Sequence, residues 1–166
     1  MSLAKFFSVN LLLILSLMSG ITASAQHQID LSGKWSFAFD SQNEGFEQQW
    51  FNKDLEDNIM LPGTTDTNQK GKPLTLEPEL TKKVLQRLRR KHSYVGRAWY
   101  QKDFKIPYKW DGKRITLQLE RVIWESTVWI DGQKIGSQNS LVTPHEFDIT
   151  KYATPGKHTL TICIDN

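Results

Sequence analysis

The 166-residue chain has a single cysteine, Cys163. One thiol forms no internal disulfide, so stability has to come from packing. The chain also lacks a phosphate cradle: neither G-x-G-x-x-G nor G-x-x-x-x-G-K occurs, and without closely spaced backbone N–H groups before a helix a nucleotide has no ready seat. Its four histidines, His27, His92, His145 and His158, show no paired spacing, and no acidic cluster calls for calcium, so no metal is expected. There is no G-x-S-x-G elbow. Cys163 falls in a regular strand pattern, where a cysteine reads as inert packing rather than a nucleophile. Glu120, Glu125, Asp131 and Asp165 lie in or beside strands and read as solvated charges rather than a catalytic pair. No catalytic residue and no cofactor is therefore assigned.

Long apolar runs are equally scarce. Lys5 precedes one from Phe6 to Met18, too short to span a bilayer, and Ala23 to Ala25 has the small-x-small form of a cleavage site. Residues 1–25 are expected to be a secretory signal peptide, and 26–166 a single exported domain, periplasmic or secreted. No cysteine follows the apolar run, so a lipoprotein anchor is not expected, and no later segment has the length and apolarity of a membrane helix. Charge of one sign is lacking too. Removing the signal leaves 20 Lys and Arg against 18 Asp and Glu. The basicity is local, with six positive residues between Lys82 and Lys91 and no acid among them. Leu80, Val84, Leu85 and Leu88 predict a short amphipathic helix there. Its basic face reads as solvated, since no aromatics interleave with the charges to stack on bases, and nucleic acid is not an expected partner.

What is present is period-two alternation. Trp35, Phe37 and Phe39 share a face in "KWSFAFD"; Tyr100, Phe104 and Ile106 do so in "RAWYQKDFKI"; Ile115, Leu117 and Leu119 in "RITLQLE"; Leu160, Ile162 and Ile164 near the end, with Cys163 opposite. Asp131-Gly132 between alternating runs predicts a tight hairpin, and Pro62-Gly63 a turn. Glu47 to Phe51 suits a short helical turn. Between Thr64 and Gly96 strand signals fade. Short strands and turns without a βαβ rhythm predict an antiparallel sandwich of two sheets.

Two tryptophans fall out of phase. Trp129 shares a face with Thr127 and Asp131, and Trp99 with Gln101 and Asp103. Each could pack beneath a loop, lie against another domain, or stack on the apolar face of a sugar. They are the candidate surface or interface aromatics.

The segments "LSGKWSFAFD", "LPGTTD", "YVGRAWYQKDFKIP", "WDGKRITLQLERV", "VWIDGQKIG", "TPHEFDIT" and "GKHTLTICIDN" follow one another in an order that resembles the N-terminal sugar-binding domain of glycoside hydrolase family 2. That family includes β-galactosidases, β-glucuronidases and β-mannosidases, and the resemblance runs from about Ile29 to Asn166. It implies an all-β, galactose-binding-domain-like jelly-roll sandwich, here with a short helix in a long loop. It further implies a β-galactosidase-like exported enzyme whose immunoglobulin-like domain and catalytic barrel, with both catalytic glutamates, lie beyond Asn166. By the same resemblance the partners are a β-glycoside carbohydrate and those downstream domains, and the loop "GTTDTNQKG" reaches toward substrate. Asp66 and Asn68 are its polar residues best suited to sugar hydroxyls. The segment Thr75 to His92 departs from the family pattern. A free-standing carbohydrate-binding module and a sandwich that binds no sugar are the rival expectations.

Overall fold

The computed structural model describes residues 27–74 and 90–166. The expected signal peptide and most of the expected basic helix lie outside the described residues. Residues Leu31–Asn166 form one compact unit. Its strands are β1 (Gly33–Asp40), β2 (Asp57–Leu61), β3 (Lys72–Pro73), β4 (His92–Ser93), β5 (Arg97–Ile106), β6 (Thr116–Leu119), β7 (Glu125–Ile130), β8 (Gln133–Asn139), β9 (His145–Asp148) and β10 (Gly156–Asp165). The main sheet runs β2-β1-β5-β10-β7-β8, and β6-β9 and β3-β4 form two-stranded sheets. Every pairing among the described residues is antiparallel.

Register turns the sequence alternation into two different faces. Trp35 lies opposite Ile59, Phe37 opposite Tyr100, Tyr100 opposite Ile162, and Ile162 opposite Val128. These residues share one face of the six-stranded sheet. Phe37 is fully buried there and meets Phe39 and Tyr100 edge-on, at ring separations of 4.8 and 5.1 Å. Burial pushes the Tyr100 hydroxyl up to about 12. The β6-β9 sheet supplies the opposing layer through buried Leu117 and Phe147, with Ile115 and Ile149 beside them. A contact between layers is visible where the buried Ser126 Oγ meets His145 Nδ1 at 2.7 Å. This is the predicted two-sheet sandwich.

The expected strand from Arg114 to Glu120 is shorter in the structure. Only Thr116–Leu119 pair with β9, while Ile115 bonds Ile149 and Thr150, where the chain is already turning. The hairpin at Asp131-Gly132 forms as predicted. Both residues take positive φ, 49° and 76°, which a two-residue turn matching the twist of β7 and β8 requires. The short helical turn falls at Trp50–Asn52.

Candidate functional site

The out-of-phase tryptophans lie on the second face of the main sheet. Trp99 pairs with Ala38 and Cys163, and Trp129 with Thr161. Of the placements open to them, beneath a loop, against another domain or facing a sugar, the structure shows the first: they are buried, with 0% and 2% of their surface exposed, and do not form a surface aromatic site. The physical reason is the segment between β1 and β2, which folds back over this face. Phe51 stacks on Trp129 at 5.2 Å with planes 6° apart, Phe46 lies 5.2 Å from Trp99, and the two tryptophans stack on one another at 5.2 Å. Trp50 and Leu55 complete the layer. Each half of this arrangement would be an exposed apolar patch alone, so the segment and the sheet face bury each other. Neither indole is available to stack on a sugar.

Asp40, at the end of β1, makes the cover fit. Its Oδ1 accepts from the backbone N–H of Glu44 at 2.8 Å, and its Oδ2 from Gly45 N–H at 3.0 Å and Trp99 Nε1 at 3.1 Å. A carboxylate only 1% exposed is thus satisfied by three donors. Gly45 is compulsory in the same place: a Cβ there would lie 2.5 Å from Trp99 Nε1 and 2.8 Å from Asp40 Oδ2. Gln101 anchors the far end, donating to the carbonyls of Trp50 and Lys53. Cys163, beneath the tryptophans, has its thiol pushed up to about 12 by burial, which fits its reading as packing.

The loop after Pro62 carries the predicted sugar ligands. Asn68 stitches the loop to β2: its Oδ1 accepts from Met60 N–H at 2.8 Å, and its Nδ2 donates to the carbonyls of Met60 and Thr64. Asp66 fixes the returning chain, because its Oδ1 accepts from the N–H groups of Lys91 at 2.9 Å and His92 at 2.7 Å. These bonds, chiefly that from His92, hold its carboxyl below the usual range. The structure brings the two residues into one loop, and both build it. Among the described residues Asp66 Oδ2 has no hydrogen-bond partner and Asn68 Oδ1 accepts a single bond.

Two further features went unnoticed in the sequence. One is an apolar rim. The loops before β5 and β7, the loop after β8 and the end of β10 meet at one end of the main sheet, as the pairings Ile164–Ala98, Asp165–Glu125 and Glu125–Asn139 require. Trp124 N–H bonds the Asp165 carbonyl, Ser140 N–H bonds the Trp124 carbonyl, and Gly96 N–H bonds Asn166 Oδ1. On this rim Val95, Ile123, Trp124, Leu141 and Val142 are all exposed, Val142 by 91%. The signal was the pair Leu141-Val142 in a turn, where apolar side chains have nothing local to cover them.

The other is the polar side of the hairpin turn. Shallow clefts flank Asp131: one is lined by Asp103, Lys157, His158 and Thr159, the other by Phe51, Asn52, Asp54, Gln101 and Gly132. His158 is nearly buried, with Nδ1 2.6 Å from Asp131 Oδ2. Ser126 and His145 form a second polar pair, but both are fully buried. With His145 Nε2 donating to the Ser140 carbonyl, no substrate can reach them and the pair ties the 140–145 turn to β7. Among the described residues no group of three or more His, Cys, Asp or Glu is placed to hold a metal.

Residues 29–166 match the family model described as glycosyl hydrolases family 2, sugar binding domain. A β-glucuronidase of Paenibacillus borealis is 30% identical over 138 residues, covering 82% of this chain and 21% of its own length. The β-glucuronidase of Canis lupus familiaris is 27% identical over 149 residues, with the same shares. A β-galactosidase of Thermoanaerobacter pseudethanolicus is 37% identical over 59 residues, 36% of this chain. Among solved structures, Ruminococcus gnavus β-glucuronidase in complex with uronic isofagomine superposes with a TM-score of 0.63 at 25% identity, over 82% of this chain and 20% of that one. The chain therefore spans about a fifth of the length of the relatives it matches.

Proposed function

The chain belongs to the glycosyl hydrolases family 2, sugar binding domain family, and from that premise we propose that it is the noncatalytic N-terminal sandwich of an exported β-glycoside hydrolase. In that role it packs on the enzyme's downstream immunoglobulin-like and barrel domains and lends a loop to the substrate site. The apolar rim carries this reading. Five large apolar side chains gathered where β10 finishes suit a neighbouring protein surface, whereas a lone soluble domain gains nothing by leaving them in water. The buried state of Trp99 and Trp129 weighs in the same direction, because a free carbohydrate-binding module needs an exposed aromatic platform and these two are enclosed. Among the described residues Trp124 and Tyr108, 46% and 79% exposed, are aromatics on which that rival reading would have to rest.

The substrate is a β-glucuronide in this proposal, a choice among the family's β-glycosides that the sequence leaves open. Support comes from relatives matching over 82% of the chain that are β-glucuronidases, against the shorter β-galactosidase match. Sugar hydroxyls bond Asp66 through Oδ2 and Asn68 through the open lone pair of Oδ1. The Lys5 and Ala23 to Ala25 pattern supports export to the periplasm or beyond. The test is hydrolysis of p-nitrophenyl β-glycosides by the complete encoded protein. Cleavage of the glucuronide in preference to the galactoside is expected; cleavage of neither, with binding of a glycan by the chain alone, would replace the proposal with the free module.

A further inference from the structure

His158 stands out because both of its ring nitrogens face groups that only accept. Nδ1 lies 2.6 Å from the Asp131 carboxylate and Nε2 lies 2.6 Å from the Thr154 carbonyl. A neutral imidazole carries one N–H and can satisfy one of these; an imidazolium satisfies both. The ring's surroundings favour the charged form. Asp131 approaches from the β7–β8 turn, Asp103 of β5 and Lys157 of β10 line the same cleft, and Lys53 and Asp54 line the adjoining one on the other side of Asp131. The Phe104 ring of β5 packs at 5.7 Å, and the side chain is 8% exposed, so water does little to replace a lost contact.

We propose that protonated His158 is a pH-operated clamp holding the Asp131–Gly132 hairpin turn and the Thr154–Gly156 turn together, and that losing its proton releases the Thr154 side. The direction follows from the partners. With one proton left, the charge-assisted bond to the carboxylate is the stronger, so Nδ1 keeps it and the Nε2 lone pair is left against the Thr154 carbonyl oxygen. Asp131 itself stays fixed, since its Oδ1 accepts from Thr159 N–H and its own N–H donates to the Thr159 carbonyl. Burial alone lowers the histidine's affinity for its proton, but the bonds to Asp131 and Thr154 outweigh it, and the net displacement is upward from 6.5. A group raised in the folded state contributes its full stabilisation below the unfolded value and loses it as pH rises through the folded one. The clamp is therefore closed below the folded-state midpoint, which lies above 6.5, and opens as pH rises through that midpoint.

The experiment is ring-nitrogen NMR of the full chain across pH 5 to 10, with amide hydrogen exchange around Gly156 measured alongside. His158 is expected to show both nitrogens protonated below its midpoint, a midpoint above 6.5, and faster exchange near Gly156 once it is passed. Asp131→Asn tests the partner without straining the turn, since asparagine tolerates positive φ. That variant should lower the midpoint and move the exchange transition with it. His158→Gln, which keeps one donor, should abolish the transition. A midpoint at or below 6.5, or an exchange transition that persists in His158→Gln, would overturn the clamp.

Discussion

Removing the Asp40 carboxylate tests how the second face of the sheet is held. In Asp40→Ala the Gly45 N–H and Trp99 Nε1 lose their acceptor in a buried setting, while the Glu44 N–H is close enough to solvent to recruit water. A buried donor left unpaired costs about 1–3 kcal/mol, so two orphans predict a loss of about 2–6 kcal/mol. Asp40→Asn is the finer probe. Its oxygen can stay at the Oδ2 position and serve Gly45 and Trp99, leaving its NH2 against the Glu44 N–H. One part-buried bond is lost, and the expected cost is about 1–2 kcal/mol. Urea unfolding followed by tryptophan fluorescence reads both. With a slope of about 2 kcal/mol per molar, the alanine variant should unfold at a midpoint lower by about 1–3 M with its slope unchanged. An alanine variant within about 0.5 kcal/mol of the parent, or an asparagine variant as damaged as the alanine, would refute the assignment of Asp40 as the fastener of the cover.

Three other outcomes follow from the same geometry. Gly45→Ala should destabilise by about 1–3 kcal/mol, because the new methyl collides with Trp99 and Asp40, and near-ultraviolet circular dichroism should show a changed tryptophan environment. Cys163 should stay unreactive toward iodoacetamide at pH 8 in the folded protein and react at once in urea, since its thiol is buried and raised to about 12; fast native labelling would contradict its placement. Asn68→Ala removes three bonds to the backbone of β2 and the loop, and should cost about 1–2 kcal/mol and speed amide exchange at Met60, whether or not substrate is present.

Much of the fold was legible because period-two alternation survives wherever one face of a strand is buried. The phases of β1, β5 and β10, the Asp131-Gly132 turn and the opposite placement of Cys163 all follow from it. The tryptophans were legible as anomalies but not as answers. Their cover comes from Phe46 to Leu55, about fifty residues from Trp99, and local pattern carries no information about which distant loop folds onto which face. The site was read less well for a related reason. Asp66 and Asn68 are legible as polar loop residues suited to hydroxyls, but not the backbone bonds that they also make, because short polar side chains in loops bond backbone as readily as ligand. Of the two acceptors around His158, the Thr154 carbonyl is local, four residues back, while Asp131 comes from 27 residues away and leaves no local mark.

The central claim is that this sandwich serves a larger glycoside hydrolase, and the coding sequence downstream of Asn166 tests it most directly. An open frame continuing for several times the present length, into a barrel carrying two glutamates placed for retaining hydrolysis, is the predicted result. A stop codon directly after Asn166 would contradict it and return the apolar rim to the status of an unexplained surface.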